Sequence, residues 1–163
     1  MVTTIRKTEE KGQRTPRRLD VYRSKDGVSG ASYCECGAVY SNKRWHVTES
    51  GSLPQGEQRV VCPACRRIAD RNPAGIVTLK GSFFAAHGEE IDNQIKNTAE
   101  AAFLKNPLGR IMDINREKEG VTITTTDVKL AQKIGRDVFK SYGGDLQFSW
   151  SHATGPVRIS WSR

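Results

Sequence analysis

All four cysteines of the chain fall in one short stretch, as Cys34 and Cys36 and then Cys62 and Cys65. The first pair reads C-x-C-G and the second C-P-x-C, with 25 residues between them. Structural zinc takes four tetrahedral ligands, and thiolates paired on two turns reach one ion while the intervening segment loops away. Gly37 and Pro63 suit such turns, because glycine permits positive φ and proline fixes φ. One residue separates the first pair where the commoner knuckle has two or more, so its turn is not the usual one, and His46 stands as a substitute ligand. Disulfides fit poorly, because two tight pairs make a weak framework and the chain shows no secretory signal. Two redox-active pairs are the competing reading. Four cysteines close the metal shell, so the expected metal is one structural Zn²⁺ whose binding energy serves as folding energy.

Around these cysteines the chain divides into three parts. Residues 1–30 are rich in Lys, Arg, Gly, Ser and Thr, have no sustained apolar period, and read as a disordered basic arm. Residues 31–73 read as a zinc ribbon, in which two short strands place the cysteine pairs side by side, Arg66 to Arg71 adds a helical turn, and Asn72-Pro73 closes the module.

Residues 74–163 are regular. Gly75 to Phe84 predicts a strand with Val77 and Leu79 on one face; Glu89 to Leu104 predicts a helix whose stripe is Ile91, Ile95, Ala99, Ala102 and Phe103. Residues 109–116 and 120–126 predict a hairpin, and 127–142 a second helix capped by Thr126 or Asp127 and stopped by Gly143-Gly144. Leu146, Phe148 and Trp150, then Val157, Ile159 and Trp161, alternate on two final strands. The order matches a ferredoxin-like βαββαβ domain with an extra C-terminal strand, giving an α+β fold.

The formal charge is +8, or about +6 once four thiolates surround a divalent ion. Residues 1–30 carry eight Lys or Arg against four acids, residues 31–73 six against four, and residues 74–163 twelve against ten. A basic excess toward the N-terminal half favours a polyanionic partner. The candidate nucleic-acid contacts are Arg14, Arg17 and Arg18 in the arm, with Lys43, Arg44, Trp45, Arg59, Arg66, Arg67 and Arg71 around the cysteines. Guanidinium groups pair with phosphates, and an exposed Trp stacks an unpaired base. Trp45 and Tyr40 equally suit a small module core.

The chain has no Walker loop, no G-x-G-x-x-G, no G-x-S-x-G and no H-E-x-x-H. His87 beside Glu89 and Glu90 reads as helix entry, His152 as a loop residue, and Thr124 to Asp127 as strand end and helix cap. The expectation is a protein that is not an enzyme and has no small-molecule substrate. No window reaches the roughly 18 apolar residues of a membrane span, so no membrane partner and a cytoplasmic location are expected.

The order Cys34-Glu35-Cys36-Gly37-Ala38-Val39-Tyr40, a tryptophan, Cys62-Pro63-Ala64-Cys65, the strand GIVTLKGSF and the segment VTITTTDVKLAQKIGRDVFKSYGG covers roughly residues 33–145. It resembles the N-terminal portion of the archaeal and eukaryotic adaptor family named for nonsense-mediated mRNA decay, which accompanies the large ribosomal subunit; short bacterial chains share this look. The resemblance implies a zinc-stabilised module that contacts ribosomal RNA on that subunit, in assembly, quality control or an inactive state. Four cysteines make one zinc site where the adaptors have more, and the eukaryotic adaptor's later domains and export signal have no counterpart, so nuclear export is not expected. A zinc-ribbon regulator that binds DNA or another protein is the alternative.

Overall fold

The computed structural model describes residues 6–7, 22, 30–48, 58–150 and 155–163. These residues form an α+β structure with three helices and two mixed sheets. The smaller sheet belongs to the cysteine module. Its strands are β2 (Ser32–Tyr33), β3 (Ala38–Ser41), β4 (Arg44–Val47) and β5 (Gln58–Arg59), after β1 (Arg6–Lys7) in chain order, and they run in the spatial order β4-β3-β2-β5. The β3–β4 hairpin turns at Asn42 and Lys43, with φ of 50° and 62°. Two positive φ values match the twist of the flanking strands, which is why two residues suffice. Helix α1 (Pro63–Ala69) follows.

The larger sheet comprises β1, β6 (Gly75–Lys80), β7 (Ile111–Glu117), β8 (Gly120–Thr125), β9 (Asp145–Ser149) and β10 (Val157–Ser162), with α2 (Ser82–Lys105) and α3 (Val128–Tyr142) between them in sequence. Val77 and Leu79, Val121 and Ile123, Leu146 and Phe148, and Val157, Ile159 and Trp161 alternate inward from four strands. They meet Ile91 and Ile95 of α2 and Leu130, Ala131, Ile134 and Val138 of α3 in one core. The predicted second helix is present, with Asp127 as its cap, accepting from the Leu130 N–H at 3.3 Å, and Gly143 at its end with φ 67°.

Two features of the larger domain differ from the sequence expectation. The first strand ends at Lys80, and Phe83 and Phe84 belong to α2, which starts at Ser82 and departs from helical geometry at His87 (φ −121°, ψ 22°). Aromatic residues favour strands by propensity, but here Gly81 turns the chain at φ 116° and the Phe83 N–H donates to the Arg163 carbonyl at 2.9 Å. Glu89 and Glu90 therefore lie beyond the entry at Ser82, but in the first turn of the helical segment that restarts after the break at His87.

The second difference is topological. The sheet order is β1-β9-β10-β6-β8-β7. β8 sits antiparallel between β6 and β7, as a split βαβ unit requires. β9, the fourth strand of the series, does not pair with β6. β10 enters between them, antiparallel to β9 and parallel to β6. The extra strand is thus internal rather than an addition at the edge. In this internal position Val157, Ile159 and Trp161 are each at most 1% exposed.

The arm residues Arg14, Arg17 and Arg18 lie outside the described residues, as does His152. Where the arm is described it is engaged: Arg6–Lys7 pairs parallel with β9, and Tyr22 is buried.

Two glycines separate backbone strain from helix propensity. In Gly81→Ala, the new Cβ would run into the Arg163 carbonyl at a backbone angle that side chains disfavour, a loss expected to be about 1–3 kcal/mol. Gly88 has open space around it, so Gly88→Ala should be neutral or stabilising by up to about 1 kcal/mol. Urea denaturation midpoints check both.

Candidate metal centre

The first cysteine pair sits on the turn between β2 and β3. The Cys34 N–H donates to the Ala38 carbonyl at 2.8 Å and the Gly37 N–H to the Cys34 carbonyl at 3.0 Å, with Gly37 at φ 93°. One intervening residue is enough because glycine supplies this left-handed step. The second pair is arranged differently from the expected strand turn: Cys62 is the N-cap of α1 and Cys65 lies in its first turn. Pro63 fits the first helical position, where no N–H is needed, and the Cys65 N–H donates to the Cys62 sulfur at 3.4 Å.

The four sulfurs converge, all within 4.8 Å of one another. Cys34 Sγ lies 3.7 Å from Cys65 Sγ, and Cys36 Sγ 3.7 Å from Cys62 Sγ. A tetrahedral ion with metal–sulfur bonds of ~2.3 Å sets its sulfurs about 3.8 Å apart, whereas a disulfide needs ~2.05 Å. All four cysteines are unbridged, and the donor set can hold a metal ion. His46, paired with Val39 across the hairpin, is not part of this group.

Burial pushes every shifted thiol of the group up, and local hydrogen bonds decide the outcome. At Cys34 burial is outweighed by the backbone N–H groups of Cys36 and Cys62, and its pKa falls to about 7. At Cys36 burial prevails. At Cys62 burial, with added repulsion from the other three sulfurs, raises the pKa strongly. Such crowding is relieved when a cation replaces the protons.

Sequence reasoning missed one participant, Arg110. Its Nη2 donates to Cys65 Sγ at 3.1 Å and lies 3.9 Å from Cys62 Sγ. Leu108 packs against the cysteine cluster beside it. Both come from the connection between α2 and β7, 45 residues along the chain from Cys65 in the case of Arg110, and nothing in a lone Gly-Arg step signals this role.

The expected nucleic-acid contacts are distributed unevenly. Lys43 and Arg44 are exposed at the β3–β4 turn, and Arg66 and Arg71 are exposed at and after the end of α1. Arg59 pairs with Glu35. Arg67 lies over the Tyr22 ring at 4.5 Å and donates to the Asn72 carbonyl at 3.1 Å. The Tyr22 hydroxyl in turn donates to Asp70 at 2.8 Å. Trp45 packs on the cysteine cluster and tilts against Tyr40, centroids 5.3 Å apart, so the small-core role is the one its surroundings support.

No protein-family model, curated protein or solved structure matches this chain.

If apparent binding energies of about 10–16 kcal/mol are shared by four thiolates, each contributes ~3 kcal/mol, or roughly 100-fold in affinity. Cys34→Ser, Cys36→Ser, Cys62→Ser and Cys65→Ser should each weaken Co²⁺ binding by about that factor. Titration of the tetrahedral cobalt absorption measures it, with one equivalent expected for the unaltered chain. Acidification should release the ion, because protons compete for the thiolates.

Proposed function

We propose that this chain is a non-catalytic, zinc-ribbon RNA-binding protein acting in the cytoplasm, with ribosomal RNA of the large subunit as its partner and the ribbon carried by an α+β domain that keeps the split βαβ unit of a ferredoxin-like fold. The observation that carries the reading is the sulfur tetrahedron inside a module whose exposed side chains include Lys43, Arg44, Arg66 and Arg71. Four thiolates complete the coordination shell of Zn²⁺ and leave no position for substrate, which favours a structural ion over a catalytic one. A closed metal site spaced by turns is an economical support for such a small surface.

The residual charge of about +6 suits a phosphate backbone. Among the described residues of β6, β8 and β10, the outer face of the larger sheet bears Ile76, Thr78, Lys80, Thr122, Thr124, Arg158, Ser160 and Ser162, without an aromatic ring on which a base could stack. This absence of a stacking ring supports a contact made chiefly by electrostatics, through the cationic module. The resemblance in the cysteine and strand segments directs the choice among RNAs to the large ribosomal subunit.

The zinc-loaded chain should cosediment with large subunits at low salt and dissociate as salt rises. Replacing Lys43, Arg44, Arg66 and Arg71 together by Ala should flatten the plot of log affinity against log salt by about 0.7–0.9 for each phosphate that the variant no longer neutralises. Crosslinking in cells followed by sequencing checks the partner: large-subunit RNA is expected, and recovery of defined DNA sites or no nucleic acid at all would overturn the reading.

A further inference from the structure

Arg110 belongs to the larger domain, yet it points at the sulfurs of the smaller one. Its backbone is held on both sides before any metal contact is considered. The Arg110 N–H donates to Thr126 Oγ1 at 2.8 Å, and the Thr126 N–H donates to the Arg110 carbonyl at 2.9 Å. The preceding turn is closed by the Leu108 N–H on Asn106 Oδ1 at 3.1 Å and by the Gly109 N–H on the Asn106 carbonyl at 2.9 Å. The guanidinium is thus delivered by a braced loop.

Its surroundings are unusual for an arginine. Nε is buried and has no hydrogen-bond partner among the described residues. A divalent ion inside four thiolates leaves a charge of −2 in a half-buried place, and an uncompensated charge there is costly. One guanidinium halves it. Nη2 alone lies near both Cys65 Sγ and Cys62 Sγ, and a guanidinium is more weakly hydrated than an ammonium, which suits it to a half-buried ion pair.

We infer that Arg110 is a positioning residue of the metal centre: its guanidinium compensates the thiolate cage and clamps the cysteine module onto the larger domain, so that metal retention and domain docking depend on each other. This rests on the reading of the four cysteines as a metal site. The centre is then a two-domain structure, with ligands from one domain and the counter-charge from the other. Leu108, packed on the same cluster, supplies the apolar part of the clamp.

The test uses the full chain loaded with Zn²⁺ or Co²⁺. Transfer of Zn²⁺ to excess chromogenic chelator should be about 10- to 100-fold faster in Arg110→Ala than in the unaltered chain, the usual range for an outer-sphere partner, with Arg110→Lys between them. In the Co²⁺ form, the sulfur-to-metal charge-transfer bands should move to lower energy in Arg110→Ala, because the sulfur lone pairs lose a stabilising cation. Hydrogen exchange should quicken at 106–110 and 62–69 while the β6 and β10 amides stay protected. A purely structural role would leave the cobalt bands in place. Release rates and cobalt bands unchanged in both variants would overturn the inference. Should Arg110→Ala fail to fold, Arg110→Lys decides alone: release and bands identical to the unaltered chain would overturn it, and faster release would support it. Failure of the unaltered chain to bind either ion would instead remove the metal reading beneath it.

Discussion

Four sulfur atoms brought within bonding reach of one cation are the constraint around which the N-terminal module is organised. The buried cluster around the sulfurs is Cys34, Ala38, Cys62 and Ala64, with Trp45 and Leu108 packed at the side, and Val39 is buried on the same small sheet and Tyr22 over α1. So few apolar side chains bury too little surface to offset the ordering of some forty residues, and the segment needs a staple. The β2–β3 turn, the two-residue β3–β4 hairpin and the Pro63 start of α1 each place backbone so that the sulfurs meet. With protons on the sulfurs the crowding is unfavourable; with a divalent ion the same crowding becomes the source of stability.

The larger domain solves a different problem, the covering of strand edges. The two strands that most need burial, β6 and β10, occupy the middle of the sheet and run parallel. β9 is thereby displaced outward, and its far edge is met by Arg6–Lys7. Trp161, fully buried, donates its indole N–H to the Gly143 carbonyl at 2.6 Å, which ties the end of α3 to the last strand.

Electrostatics divides the cations into groups with different work. Arg59 and Arg67 hold the module's own surface through Glu35, Tyr22 and Asn72, contacts that at exposed positions contribute about 1 kcal/mol or less each. Lys43, Arg44, Arg66 and Arg71 remain turned to solvent, and they are the side chains that the proposed polyanion contact would use. Arg110, half-buried against the sulfurs, belongs to neither group.

The sequence alone determined the features that depend on local spacing. The cysteine group could be named because paired thiols on short turns carry their own geometry, and α3 because Asp127, the Leu130-to-Val138 stripe and Gly143 state its start, face and stop within one short segment. The core-facing strand residues followed from period-two alternation. What only the tertiary structure decided are relations between distant segments: β10 entering beside β6, Phe83 and Phe84 turning into a helix behind Gly81, Trp45 packing inward, and Arg110 reaching Cys65. Local pattern specifies which face of an element is apolar but not which neighbour covers it. A single arginine has no period at all, so its role exists only once folding has brought the thiolates to it.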